Sequence, residues 1–489
     1  MNIQRDLLPK ISARHPAARP YGALLWGLRR SHWLVLGGLA VTTALWGAAR
    51  LADLTTSAFW FWRGPSQLVM WWSATAAILS ILSVVRTNAM APMFGDLGEA
   101  VRLHRQLGLG ALLLLALHVA LLAADAAMHG VPVASVLVPF WSSEQRSADI
   151  LVFYGLLILG ALAYEPHMSH ERWRVLHRLI GLLFLGGTIH AAFEPGTARQ
   201  YEPLRIWLVM LVLAGICGWL YSVLFLRFGP RYRYQVVSLT PRGPRTIDLL
   251  MRPVDRRMMY EPGTFVFLNI PSLAGFNNEL HPFSISSSPV ERDLRISIAL
   301  VGDFTKQLKN LADSPQPLPA GNLPAMPHVT PIILEVFGPF GGFTMQRFAR
   351  FRRLVWIGAG IGITPFLSML TFEKSNTDFR RIWLYYMVHG RDDAVYDAEI
   401  TQLCMQADSL IDYQVWASGE QGRLTAARIL EDIDLDDYAV MLCGTQEMTS
   451  NMARQFHALG LPPDRIILEE LQFRPAPARR PGLRLRATS

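Results

Sequence analysis

Apolar residues are unevenly spread along the 489 residues of this chain. Up to about residue 228 they gather into long runs broken by short polar stretches. Six runs, at roughly 33–51, 66–85, 106–124, 149–164, 175–193 and 204–227, approach the ~20 apolar residues needed to cross a bilayer, although the fourth is short. From about 231 the pattern changes. Tyr232-Arg-Tyr-Gln-Val-Val alternates, Leu294-Arg-Ile-Ser-Ile-Ala-Leu gives another short strand, and Gly and Pro punctuate the gaps, which predicts a small β-barrel up to about 345. Beyond it, Leu354-Val-Trp-Ile leads into a Gly-rich turn and a helix, with further strands beginning at Arg381, Tyr413 and Tyr438. The expected organisation is multidomain: a cytoplasmic segment (1–32), a six-helix transmembrane bundle (33–228), a β-barrel (229–345), an α/β nucleotide-binding domain (346–473) and a basic tail (474–489).

Composition strengthens this reading. The chain is 51% hydrophobic and only 17% charged, with a mean hydropathy of +0.24, where a soluble domain carries about 25% charged residues. The net charge of +8 admits nucleic acid or anionic lipid as a partner, but its placement argues against nucleic acid. Arg5, Lys10, Arg14, Arg19, Arg29 and Arg30 precede the first run. Arg86, Arg102 and Arg105 lie between spans two and three, Arg172, Arg174 and Arg178 around the start of span five, and Arg227, Arg231 and Arg233 after span six. The alternate loops are poorer in basic residues, so the positive-inside rule predicts that both termini and the whole soluble half are cytoplasmic. No secretory signal peptide is evident. Cys217, Cys404 and Cys443 are too few for a disulfide framework.

Two membrane segments share a short internal repeat. RLHRQLGLGALLLLALH carries His104 and His118, RVLHRLIGLLFLGGTIH carries His177 and His190, and each has an LHR core with a glycine four residues after its first histidine. Ionisable residues at membrane depth are costly and point to function. Single histidines commonly just hydrogen-bond between helices; four in matching segments suit axial ligation of haem iron. Ligands fourteen residues apart are ~21 Å apart along a helix and return to nearly the same face. That pairs His104 with His177 near the cytoplasmic side and His118 with His190 near the outer side. His177 and His190 are thirteen apart, about 140° out of register on an ideal helix. Overwinding at Gly186 and Gly187 would relieve this. Phe184, between the second pair, is either an aromatic between two haems or a lipid-facing residue.

The repeat resembles the membrane domain of the ferric reductase and NADPH oxidase superfamily, whose six helices hold two b-type haems with ligands fourteen apart on the third helix and thirteen on the fifth. This resemblance, rather than the helical wheel, supports the second pair. The soluble half continues it. His281, Pro282, Phe283 and Ser284, in HPFSISSSP, resemble the FAD-binding segment of ferredoxin-reductase-type flavoproteins. Gly302 and Thr305, in VGDFTKQL, resemble the pyrophosphate turn, with an ordinary capped turn as the other reading. Gly338 opens GPFGG, the turn that ends the flavin domain. The Pro-rich stretch from Ser314 to Pro331 reads as a surface loop.

Gly358, Gly360, Gly362, Thr364 and Pro365 make a Gly-x-Gly-x-Gly-x-Thr-Pro turn that resembles the nicotinamide-binding turn of the same superfamily, where glycines admit a pyrophosphate. Cys443-Gly444 stands where that family has its Cys-Gly turn beside the nicotinamide; a buried packing thiol is the alternative. Ser418 and Arg423 are either adenosine 2′-phosphate contacts, selecting NADPH over NADH, or plain surface residues. Phe473 sits where the family places an aromatic against the flavin, although 16 residues follow it.

The resemblance therefore implies electron flow from cytosolic NAD(P)H through FAD and two b-type haems, with Cys443 and Phe473 beside the reacting rings. The acceptor beyond the membrane is a ferric chelate, or O2 giving superoxide, or a periplasmic protein partner. A bacterial inner membrane is the expected location.

Overall fold

The computed structural model describes residues 30–50, 63–85, 91–94, 97–141, 143–163, 165, 168, 170–193, 201–228, 231–270, 280–312, 332–373, 380–407, 410–431 and 437–469. The N-terminal segment up to 29, the Pro-rich stretch, Phe473 and the basic tail lie outside these residues.

Six long helices lead the chain: α1 (Arg30–Arg50), α2 (Arg63–Ser83), α3 (Leu97–Met128), α4 (Glu144–Leu162), α5 (His170–Phe193) and α6 (Glu202–Phe228). Each covers one of the six expected runs. Among the described residues, four have segments long and apolar enough to cross a membrane: Ser31–Arg50, Gly64–Ser83, Gly98–Met128 and Glu202–Leu224. The other two open on polar residues. Helix α4 starts with Glu144, Arg146 and Asp149, capped by Ser143 Oγ accepting from Arg146 N, and α5 starts with His170, Glu171, Arg172 and Arg174.

Hydroxyls and indoles tie the apolar helices together. Trp207 Nε1 donates to Thr42 Oγ1 at 3.0 Å, Thr42 and Thr75 hydroxyls meet at 3.1 Å, and Trp72 Nε1 donates to Thr43 Oγ1 at 2.9 Å. Such bonds hold helices together where lipid offers no hydrophobic driving force.

Strands β1 (Tyr232–Pro241), β2 (Thr246–Pro253), β3 (Phe265–Asn269), β4 (His281–Ser284), β5 (Leu294–Ala299) and β6 (Ile333–Phe340) form an antiparallel sheet in the order β4-β3-β6-β1-β2-β5. A bridge from Ile285, just past β4, to Ile296 of β5 joins the two outer strands, and Ser286 N donates to Arg295 O at 2.9 Å. The sheet thus curls back on itself around a core that includes Tyr234, Leu249, Val266, Ile285, Ile296 and Val336. Helix α7 (Asp303–Ala312) packs against that core through Leu308.

A second sheet is parallel throughout. Strands β7 (Arg353–Ala359), β8 (Arg381–Val388), β9 (Leu410–Ala417), β10 (Tyr438–Cys443) and β11 (Ile466–Glu469) run in the order β11-β10-β7-β8-β9. Separate apolar clusters cover its two faces, as a parallel sheet requires. Strand order reverses between β7 and β10, and in open sheets of this kind ligands bind outside the carboxyl ends of the strands at that point.

The three regions touch. Tyr221 of α6 packs on Phe265, Phe267 and Phe337 of the antiparallel sheet. Buried Asp248 of β2 accepts from Tyr396 at 2.8 Å, Ser297 at 2.6 Å and Arg242 at 2.9 Å, joining the two sheets. Arg295 adds an ion pair of 2.6 Å to Glu399 on the helix α9 (Asp397–Gln406).

Candidate functional site

Three groups of residues carry the candidate chemistry, beginning inside the helical region. His104 of α3 and His177 of α5 face each other with their Nε2 atoms 3.3 Å apart. Their other nitrogens are held differently. His104 Nδ1 donates to the backbone carbonyl of Ser80 on α2 at 2.9 Å, and the Ser80 hydroxyl donates to the His104 carbonyl at 2.9 Å. With the proton on Nδ1, Nε2 of His104 is left as a lone pair aimed at His177. The His177 ring stacks on Trp173 at 4.7 Å and 8°, and Trp173 Nε1 donates to Ala163 O at 2.9 Å.

Fourteen residues along α3 the arrangement recurs. His118 Nδ1 donates to the carbonyl of Ser66 at 2.8 Å, and the Ser66 hydroxyl donates to the His118 carbonyl at 3.3 Å. His190 lies within α5. The helix runs without a break through Gly186 and Gly187. Phe184 points inward, packed with Ala76, Ala77, Leu107 and Ala111 of α2 and α3.

Two imidazole nitrogens converge between helices, with His104 Nδ1 tied to a carbonyl and His177 Nδ1 buried without a hydrogen-bond partner among the described residues, a donor set that suits haem iron. Among the described residues, no cluster of three or more His, Cys, Asp or Glu side chains could hold a bare metal ion.

In the antiparallel sheet, β4 presents His281, Pro282, Phe283 and Ser284 opposite β3, with His281 stacked on Phe304 at 4.0 Å. Thr305 lies in the first turn of α7. Its hydroxyl accepts from Val301 N and Gly302 N at 3.0 Å each, so two turn amides are already satisfied internally. Gly338 has φ +147, which favours glycine. A serine run follows β4, and its members brace the turn: Tyr260 O–H meets Ser287 Oγ at 3.0 Å, and the Ser286 and Ser297 hydroxyls meet at 2.9 Å.

In the parallel sheet, two motifs distant in sequence meet at the switch point. A Cβ on Gly362 would lie 2.4 Å from the Cys443 carbonyl oxygen and 2.8 Å from Gly444 N, so only glycine permits this contact. Gly360 has φ +54 with open space where a Cβ would stand. Thr364 and Pro365 open the helix α8 (Thr364–Glu373), both buried, with proline in the first turn where a missing N–H costs nothing. Cys443 is buried, and burial together with the Glu469 carboxylate pushes its thiol well above the usual range. Ser368 of α8 donates to Ser287 O at 2.5 Å, so the helix behind the Gly-rich turn touches the segment behind His281.

The chain matches three family models in order: a ferric reductase-like transmembrane component over 69–188, an FAD-binding domain over 232–342 and an oxidoreductase NAD-binding domain over 356–454. The proteins it is similar to include ferric reductases and NADPH oxidases. Among its relatives, a superoxide-generating NADPH oxidase heavy chain of Dictyostelium discoideum is 38% identical over 132 residues, covering 27% of this chain and 24% of the relative. Ferric reduction oxidase 8, mitochondrial, of Arabidopsis thaliana is 38% identical over 154 residues, covering 30% and 20%. NADPH oxidase 1 of Rattus norvegicus is 24% identical over 263 residues, covering 51% and 43%. The chain therefore spans less than half the length of each.

The structure brings Gly358, Gly360, Gly362, Thr364, Pro365, Cys443 and Gly444 together at the carboxyl end of the parallel sheet. Ser418, next to the end of β9, lies at the same end, but its hydroxyl donates to Val388 O at 3.1 Å. Arg423 is exposed beyond it. Sequence reasoning missed Ser66, Ser80, Trp173 and Ser368. The one available signal was that Ser66 and Ser80 are fourteen apart, as are His104 and His118.

Proposed function

We propose that the chain moves electrons from cytosolic NADPH, or NADH, through FAD and two b-type haems to a ferric chelate on the outer side of a membrane. The proposed layout is a cytoplasmic segment (1–32), six spans (33–228), a flavin barrel (229–345), a nucleotide domain (346–473) and a basic tail (474–489), with both termini cytoplasmic in a bacterial inner membrane. The observation that carries the reading is the facing His104 and His177 nitrogens, 3.3 Å apart between α3 and α5.

Bound haem and FAD would supply the one-electron and hydride chemistry, which belongs to the cofactors. The chain's own residues bind, orient and exclude water. His104 with His177 would hold the inner haem, and His118 with His190 the outer. Phe184, among alanines of α2 and α3, fills the layer between them and keeps it dry. His281, Pro282, Phe283, Ser284, Gly302, Thr305 and Gly338 would line the flavin. The start of α8 offers oriented N–H groups to a pyrophosphate, and Gly360 leaves room for it. Cys443 stays a neutral thiol beside the nicotinamide, packing without adding charge. Ser418 and Arg423 would meet a 2′-phosphate, and Phe473 would cover the flavin.

A second acceptor is favoured by the Dictyostelium relative, whose name specifies superoxide: O2 at the outer haem edge. One experiment separates the readings. An anaerobic optical spectrum of the full chain, supplied with FAD, is recorded before and after NADPH or NADH. Low-spin b-type bands that reduce on adding nucleotide support the path, and ferric citrate or O2 then ranks the acceptors by reoxidation rate. A preparation without haem bands, or with bands that neither nucleotide reduces, sinks the proposal.

A further inference from the structure

Helix α2 carries serines at 66, 73 and 80, spaced by sevens and buried to 0%, 2% and 4% exposure. Residues seven apart return to nearly one helical face. Each serine hydroxyl donates to a backbone carbonyl of α3: Ser66 to His118 at 3.3 Å, Ser73 to Ala111 at 2.7 Å, Ser80 to His104 at 2.9 Å. As the α2 number rises by seven, the α3 number falls by seven, so the three bonds are rungs of one antiparallel ladder. At the two end rungs the bond is returned, because each histidine donates Nδ1–H to the carbonyl of its own serine. The middle rung has no imidazole.

We propose that Ser66 and Ser80 are positioning residues that fix the tautomer and ring plane of His118 and His104, with Ser73 holding only the register of α2 against α3. This rests on the di-haem reading above. A histidine whose Nδ1–H is tied to a carbonyl presents Nε2 as a fixed lone pair with raised donor strength, and partners of this kind tune a bound metal. The serine hydroxyl acts through the histidine: by gripping the His carbonyl, it keeps the imidazole against the serine carbonyl. The carbonyl of Ser80 also accepts from Ser83 Oγ at 2.7 Å, which holds that end of the ladder in place. Each end rung serves one centre, so the two haems are set separately.

The test uses the full chain as three variants, Ser80→Ala, Ser66→Ala and Ser73→Ala, each removing only a hydroxyl. Redox titration and low-temperature EPR of the ferric haems are read beside the thermal midpoint. Ser80→Ala is expected to move the g values and midpoint potential of one haem and to weaken its retention roughly tenfold, leaving the other unchanged. Ser66→Ala should do the same to the other haem. Ser73→Ala should lower the thermal midpoint and move neither signal. If Ser73→Ala moves both haems as far as the end variants do, or if the end variants move neither, the inference is overturned while the di-haem reading stands. A wild-type chain without haem overturns both.

Discussion

The membrane half and the soluble half of this chain carry function in opposite ways. Among the helices, the working groups are side chains, and several are bonded across helices: His104 to Ser80, His118 to Ser66, Trp207 to Thr42. In the parallel sheet the candidate site is mostly backbone. Gly360 and Gly362 matter for what they lack, and Cys443 contributes its carbonyl to the closest contact. The difference follows from the surroundings. Lipid makes every unpaired polar group costly, so a polar side chain kept there carries a role. In water polar side chains are abundant, and a cofactor with many acceptor oxygens is met by amides that only glycine leaves uncovered.

Removing a membrane histidine should separate the two halves most sharply. His104→Leu is expected to lower NADPH-driven reduction of an outer acceptor by on the order of a hundredfold, since metal-site partners alone are worth about 10–100-fold. Electron transfer from NADPH to a soluble dye should persist in the same preparation; loss of both would erase the division. Gly362→Ala is the converse. Its Cβ would meet the Cys443 carbonyl at 2.4 Å, so about 1–3 kcal/mol of overpacking strain is expected, with a raised KM for nucleotide and haem spectra unchanged. Steady-state kinetics beside a haem difference spectrum checks it.

The junction between the sheets offers a smaller effect. Tyr396→Phe removes one hydrogen bond to buried Asp248 and should cost about 1 kcal/mol, read as a lower melting point of the flavin and nucleotide region. Disrupting the exposed Arg233–Asp255 pair should leave that midpoint in place. The smallest effect concerns pH. Burial and Glu469 raise the Cys443 thiol, so the unfolded chain ionises there first, above about pH 8.5. The stability contribution of the buried thiol is complete below that pH and declines as pH rises toward the folded value. Alkylation of Cys443 in the native chain should therefore stay slow from about pH 7 to 9, whereas thiolate-like reactivity near pH 7 would contradict the burial argument.

Much of this was legible in the sequence, for reasons tied to particular residues. Apolar runs foreshadowed where the long helices lie, four of them long and apolar enough among the described residues to cross a membrane, apart from an earlier start to α3 that takes in Glu99 and Arg102. The histidine repeat was visible because ionisable residues are rare in such runs. The glycine motifs were visible because their spacing is dense. The ladder was not, since Ser66, Ser73 and Ser80 read as ordinary small residues until the register of α2 against α3 is known. Trp173 stayed hidden for a similar reason: a tryptophan near a helix start resembles an interfacial anchor until its ring is seen flat against His177. The contact of Ser368 with Ser287 spans 81 residues, and no local pattern announces it.

One junction has a mechanical consequence. Helix α6 ends at Phe228 and β1 starts at Tyr232, with Tyr221 seated on Phe265, Phe267 and Phe337. Three intervening residues span at most about 14 Å from one element to the next, which leaves the tether little slack. With so short a connection and that contact, tilting α6 in a thinner or thicker bilayer would be expected to carry the sheet with it. Under the proposed electron path, bilayer thickness would then change how the flavin sheet sits against the helices, with no ligand and no chemical modification.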